Sequence, residues 1–132
     1  MKPKLKYDFK EDRSLWITLS GLIDAQTMER LTYADHEDER SVTAKYAIAD
    51  LREADMREVT HRQIRHVAAL DIGASRTNPH LRVAFVAADP VAVECCQYYI
   101  SICTRLKIPW ELAMFEHVEE ALGWCRQVRS VG

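Results

Sequence analysis

Tyr46-Ala47-Ile48-Ala49-Asp50-Leu51-Arg52 and Val83-Ala84-Phe85-Val86-Ala87-Ala88-Asp89-Pro90 are two short apolar runs that each reach an aspartate, and each is followed by a stretch with helical periodicity. Runs this short, rich in small and branched residues, read as strands covered on both faces. Two strand-to-helix units in succession imply a largely parallel sheet with right-handed crossovers. Ligands on open α/β sheets gather at the carboxyl ends of strands, so the two aspartates mark the edge where a site is expected.

Before these runs, Leu5, Tyr7 and Phe9 alternate with polar neighbours, and Leu15, Ile17 and Leu19 do so again after the polar turn Glu11-Asp12-Arg13-Ser14. This period of two predicts an antiparallel hairpin. Gly21 to Asp24 should end the second strand, with Asp24 capping a helix whose inner face carries Ala25, Met28, Leu31 and Ala34; the charged run Asp35 to Arg40 should close it. After the strand Tyr46 to Leu51, a charged exit loop from Glu53 to Val59 is expected. Thr60 and Gln63 then have the form of a capping box for a helix with Ile64, Val67, Ala68 and Ile72 inward, and Gly73 as its stop. A polar loop from Ser75 to His80 leads to the second aspartate-ended strand. Asp89 should cap the next helix, with Pro90 in its first turn and a broad apolar stripe from Val91 to Leu106. Trp110 to Phe115, after Pro109, reads as an edge strand, and Val118, Ala121, Leu122 and Cys125 as one face of a last helix. The expected order is β-β-α-β-α-β-α-β-α: an α/β fold, a mostly parallel sheet with an N-terminal antiparallel hairpin and helices packed on it, in one domain over residues 1–132.

Composition excludes several classes. Eighteen basic against twenty acidic side chains leave a net charge of −2, which gives no global field to hold nucleic acid, and none is expected as a partner. No stretch approaches the roughly 18 apolar residues of a membrane span, so integral membrane association is not expected and a soluble, cytoplasmic protein is. Cys95, Cys96, Cys103 and Cys125 sit in apolar helical patterns without a C-x-x-C pair and read as reduced core thiols. His61 and His66 are five apart, outside the usual metal-binding pair, and neither a metal nor a cofactor is expected.

The element order resembles the SpoIIAA-like group of STAS domains. So do Tyr46 to Arg52, the phrase Arg82-Val83-Ala84-Phe85-Val86-Ala87, and the ending Phe115 followed by Glu119-Glu120-Ala121-Leu122-Gly123-Trp124. The likeness runs from about Tyr7 to Trp124. It implies the fold of anti-sigma-factor antagonists, shared with the larger CRAL-TRIO lipid carriers, and relatives that bind proteins or apolar ligands and are mostly not enzymes. Regulatory members of that family carry a phosphorylatable serine in the loop after the strand matching Tyr46 to Leu51. Here the segment Asp50 to Thr60 contains no serine, and Thr60 is its one hydroxyl.

The resulting expectation is a non-catalytic regulatory or binding module. It would engage a protein partner, or a small apolar or anionic ligand, through Asp50, Arg52, Asp55, Thr60 and His61 at the strand-end loops. Two alternatives stand beside it: an enzyme using Asp50 or Asp55 with His61 as acid and base, and a phosphorylation switch with Thr60 as acceptor. No G-x-S-x-G, P-loop or Rossmann glycine pattern occurs, and a receiver-type phosphotransfer domain lacks its lysine where Met114-Phe115-Glu116 stands. The helix from Val91 to Leu106 is apolar around much of its circumference, which nominates Tyr98, Tyr99 and Ile102 for an apolar or homodimer contact.

Overall fold

The computed structural model describes residues 2–37 and 39–127. Among the described residues five strands and four helices follow one another as β1 (Lys4–Phe9), β2 (Ser14–Leu22), α1 (Ala25–Glu37), β3 (Tyr46–Asp55), α2 (His61–Thr77), β4 (Arg82–Val86), α3 (Pro90–Arg105), β5 (Glu111–Phe115) and α4 (Val118–Cys125). A short 3-10 turn, Glu39–Thr43, lies between α1 and β3. The strands lie side by side in chain order, β1 antiparallel to β2 and every other pair parallel.

That order decides where the helices go. Right-handed crossovers along a sheet that always advances in one direction put every crossover helix on the same face. Accordingly α1, α2 and α3 cover the face presented by Leu15, Leu19, Ala47, Leu51 and Val83, and α4 packs on the other, over Tyr46, Ile48, Ala84 and Val86. The alternation of a strand sorts its residues between these two cores, which is why the small, branched sequences of β3 and β4 suit the middle of the sheet.

Local chemistry fixes the ends. Asp24 Oδ1 accepts hydrogen bonds from Thr27 N (2.8 Å) and Thr27 Oγ1 (2.6 Å) at the start of α1. At α2, Thr60 Oγ1 accepts from Gln63 N (3.2 Å) while Gln63 Oε1 accepts from Thr60 N (2.8 Å), closing the capping box in both directions. Asp89 Oδ2 accepts from Val91 N and Ala92 N, with Pro90 opening α3. Thr60→Ala is expected to cost about 1 kcal/mol of stability, read as a lower urea midpoint at unchanged slope; no loss would mean that the box is not formed in solution.

Five boundaries differ from the sequence expectation. Helix α2 passes through Gly73, whose Cα faces open space, and ends four residues later, where Pro79 disfavours helical backbone at Asn78. The segment from Glu53 to Asp55 belongs to β3 rather than to a loop, because the register shifts between Thr18 and Ser20 of β2 and one extra β3 residue resets the alternation. Strand β2 correspondingly runs through Gly21, at φ 77°, to Leu22. Strand β4 stops at Val86, and β5 starts at Glu111, Trp110 being buried just before it with its indole donating to Asn78 O (2.7 Å).

Arg82 opens β4, level with Tyr46 at the start of β3, and is buried. Its Nη1 donates to Trp124 O (3.0 Å) and Gln127 O (2.8 Å), and its Nε lies 3.4 Å from Glu111 Oε2 on the neighbouring strand. One side chain thereby joins β4, β5 and the end of α4.

Candidate functional site

Between the sheet and α1 to α3 lies an internal space of about 140 Å³. Ile17, Leu51, Met56, Val67, Phe85 and Cys96 are among the side chains around it, and nearly all of its wall is carbon. One polar pair interrupts that wall. Tyr99 OH donates to Asp71 Oδ2 at 2.5 Å, linking α3 to α2, while the Tyr99 ring meets Phe85 edge-on with centroids 5.5 Å apart. Burial and the adjacent Asp71 charge push the Tyr99 phenol well above its ordinary pKa, so it stays protonated and donates. Burial also raises the thiols around it: Cys96 to about 12, and Cys103 to about 11 despite the opposing hydrogen bond with Tyr99. The raised values keep the Tyr99 phenol and these two thiols protonated at neutral pH, as hydrogen-bond donors and packing groups.

The residues expected to form one cluster at the strand ends are placed in three separate arrangements. Asp50 faces the opposite side of the sheet from the cavity, and its carboxylate grips Arg52 through Nε (3.0 Å) and Nη2 (2.9 Å). Burial pushes the Asp50 carboxyl upward, but the hydrogen bonds from Arg52 outweigh it and hold the pKa below the usual carboxylate value. Asp55 pairs instead with Arg57, at 3.3 Å from Nε. His61 belongs to a third group, stacked on Tyr98 with ring centroids 3.7 Å apart and its Nε2 at 2.7 Å from Glu94 Oε1. Tyr98 OH in turn accepts from Arg65 Nη1 (2.9 Å), so these four side chains clasp α2 to α3 on the outer surface.

None of Asp50, Arg52, Asp55, Thr60 and His61 borders the cavity. Tyr98, Tyr99 and Ile102 do not share a surface either: Tyr98 lies in the outer clasp, Tyr99 lines the cavity, and Ile102 is 8% exposed within the core beside Ala68 and Leu81. Asp71 is the functional candidate that the sequence reading missed. Its signal was present, since position 71 falls on the inward stripe set by Ile64, Val67 and Ala68, where a carboxylate demands a buried donor. Among the described residues no group of three or more His, Cys, Asp or Glu is arranged to hold a metal ion.

Set beside solved structures, the chain is similar to an uncharacterised protein of the DUF3478 family with a SpoIIAA-like fold from Shewanella loihica PV-4. The TM-score is 0.52 at 18% sequence identity, covering 93% of each chain. The chain has a SpoIIAA-like α/β fold; at this identity the likeness carries the fold and nothing further. No protein-family model and no curated protein matches the sequence.

Proposed function

We propose that this chain is a non-catalytic binding module that takes a small, largely apolar ligand into the space between the sheet and α1 to α3. The observation that carries this reading is the cavity: about 140 Å³ lined almost wholly by carbon, with Tyr99 and Asp71 as its polar feature. Apolar cavities on the order of 150 Å³ stay dry and take up benzene-sized molecules, and a few convergent polar groups in an apolar wall are the usual make-up of a ligand site. The commitment of Asp50 to Arg52, Asp55 to Arg57 and His61 to Glu94 supports a binding role over acid-base chemistry at the strand ends. Thr60 is held as a helix cap, and no observation favours it as a phosphate acceptor.

Benzene is the probe that tests the cavity, with the Met28 and Met56 methyl resonances as reporters because both residues line it. Saturable shifts of these methyls are expected, and Val67→Phe, which fills the space from α2, should abolish them while the chain stays folded. Native mass spectrometry of the protein as purified gives a second readout, a retained small-molecule mass. Benzene leaving both methyls unmoved, with no retained mass, would sink the proposal. Among the described residues no helix is long and apolar enough to cross a membrane.

A further inference from the structure

At the amino-terminal edge of the parallel strands, away from the strand ends discussed above, is an open cleft of about 520 Å³ that shares no lining residue with the apolar cavity. The β1–β2 turn contributes Arg13, the approach to β3 contributes Lys45, and the α2–β4 connection contributes Asn78 and His80. Arg82, Cys125 and Ala44 form the buried part of the lining. Three of the lining side chains, Arg13, Lys45 and Arg82, are cations, His80 adds an imidazole, and none is a carboxylate. In a chain of net charge −2, that gathers positive potential into one concavity, and a low-dielectric floor intensifies it.

The three cations are not equally engaged. Arg82 is committed to Trp124 O, Gln127 O and Glu111. Among the described residues Arg13 donates through Nε alone, to Thr43 O at 3.2 Å, so the two terminal nitrogens of its guanidinium fork have no partner there. Among the described residues no carboxylate pairs with Arg13 or with Lys45, and both are exposed. Their backbones are tied together, Lys45 N donating to Arg13 O at 2.8 Å. Arg13 itself stands at φ 65°, in the left-handed region that a non-glycine residue enters at a cost. Arg13 N donates to Lys10 O at 2.9 Å and closes the turn in that form, so two cations with no carboxylate partner among the described residues leave the chain side by side.

We infer that this cleft binds the anionic group, phosphate or carboxylate, of a small molecule, with Arg13 and Lys45 as its contacts. A guanidinium fork beside an ammonium point charge suits either oxyanion. The site is independent of the apolar cavity, so the outcome for one leaves the other standing.

Pyrophosphate and citrate serve as the two probes, each titrated into the full chain at low salt and followed by backbone amide NMR. Saturable shifts at Arg13, Lys45, Asn78 and His80 are expected with at least one probe, and the probe that binds tells phosphate from carboxylate. Lys45→Gln and Arg13→Gly should each weaken binding by about tenfold or more, and rising salt should weaken it further. Arg13→Gly suits the left-handed backbone, so a fold defect does not confound it. Shifts that do not saturate with either probe, or variants that bind as the parent does, overturn the inference.

Discussion

Replacing Arg82 by methionine lowers the unfolding free energy by about 3 kcal/mol, within the range for removing one member of a buried, charge-assisted set of hydrogen bonds. The side chain is buried and satisfies the Trp124 and Gln127 carbonyls as well as facing Glu111. Methionine keeps the packing of the aliphatic stem but donates nothing, so those carbonyls must find water at the end of α4. The loss has a direction as well as a size. Helix α4 has eight residues, too few to persist by propensity alone, and Arg82 anchors its C-terminal end. Amide exchange in Ala121 to Cys125 should therefore accelerate more than exchange in β3. Arg82→Lys should restore little, since one ammonium cannot reach two carbonyls and a carboxylate in a planar fan. A urea midpoint unchanged by Arg82→Met would refute this account of how the open side of the sheet is closed.

Raising the pH above about 9 unfolds the protein steeply under reducing conditions. Burial pushes the Cys96 thiol up to about 12 and Cys103 and Cys125 to about 11, and it raises Cys95, Tyr46 and Tyr99 as well. For groups whose pKa is raised by folding, the stabilisation is complete below the unfolded pKa, near 9.0 for the thiols, and is lost as pH rises through the folded values. Between those limits the unfolded chain has released protons that the folded chain still holds. Each such group then removes about 1.4 kcal/mol per pH unit, and several acting together remove most of a typical domain's stability. Thermal midpoints at pH 8, 9.5 and 10.5 by circular dichroism provide the check. A flat profile would show that the thiols are open to solvent, as would rapid modification of the native protein by a thiol reagent.

Most of the fold was legible because its signals are local. Alternation in Leu5, Tyr7 and Phe9, the Thr60 and Gln63 pair, and Asp89 with Pro90 each act within a few residues, and each formed as expected. The end of α2 was equally local but lay in Pro79, which outweighs the modest helical cost of Gly73. The true length of β3 was hidden, because a bulge moves the residues that follow it out of phase with those before it. The candidate site was less legible. Charged residues near one another in sequence, Asp50 with Arg52 and Asp55 with Arg57, satisfied each other and left no shared centre. Tyr99 and Asp71 meet across two helices, and only packing shows that both face the same internal space.

A sheet whose strands stand in the order of their synthesis has a consequence for how the molecule comes into being. Each new strand finds its place beside the one made just before it, so the sheet can grow from the hairpin outward as the chain leaves the ribosome. No strand waits for a distant partner, and every loop that must close is one crossover long, which keeps the entropic cost of each step small. The growing edge is covered in turn by the next strand and its helix, limiting the time that unpaired backbone is offered to neighbouring chains. Assembly of this kind favours a protein that reaches its native state by successive addition, with β5 and α4 as the last pieces to dock.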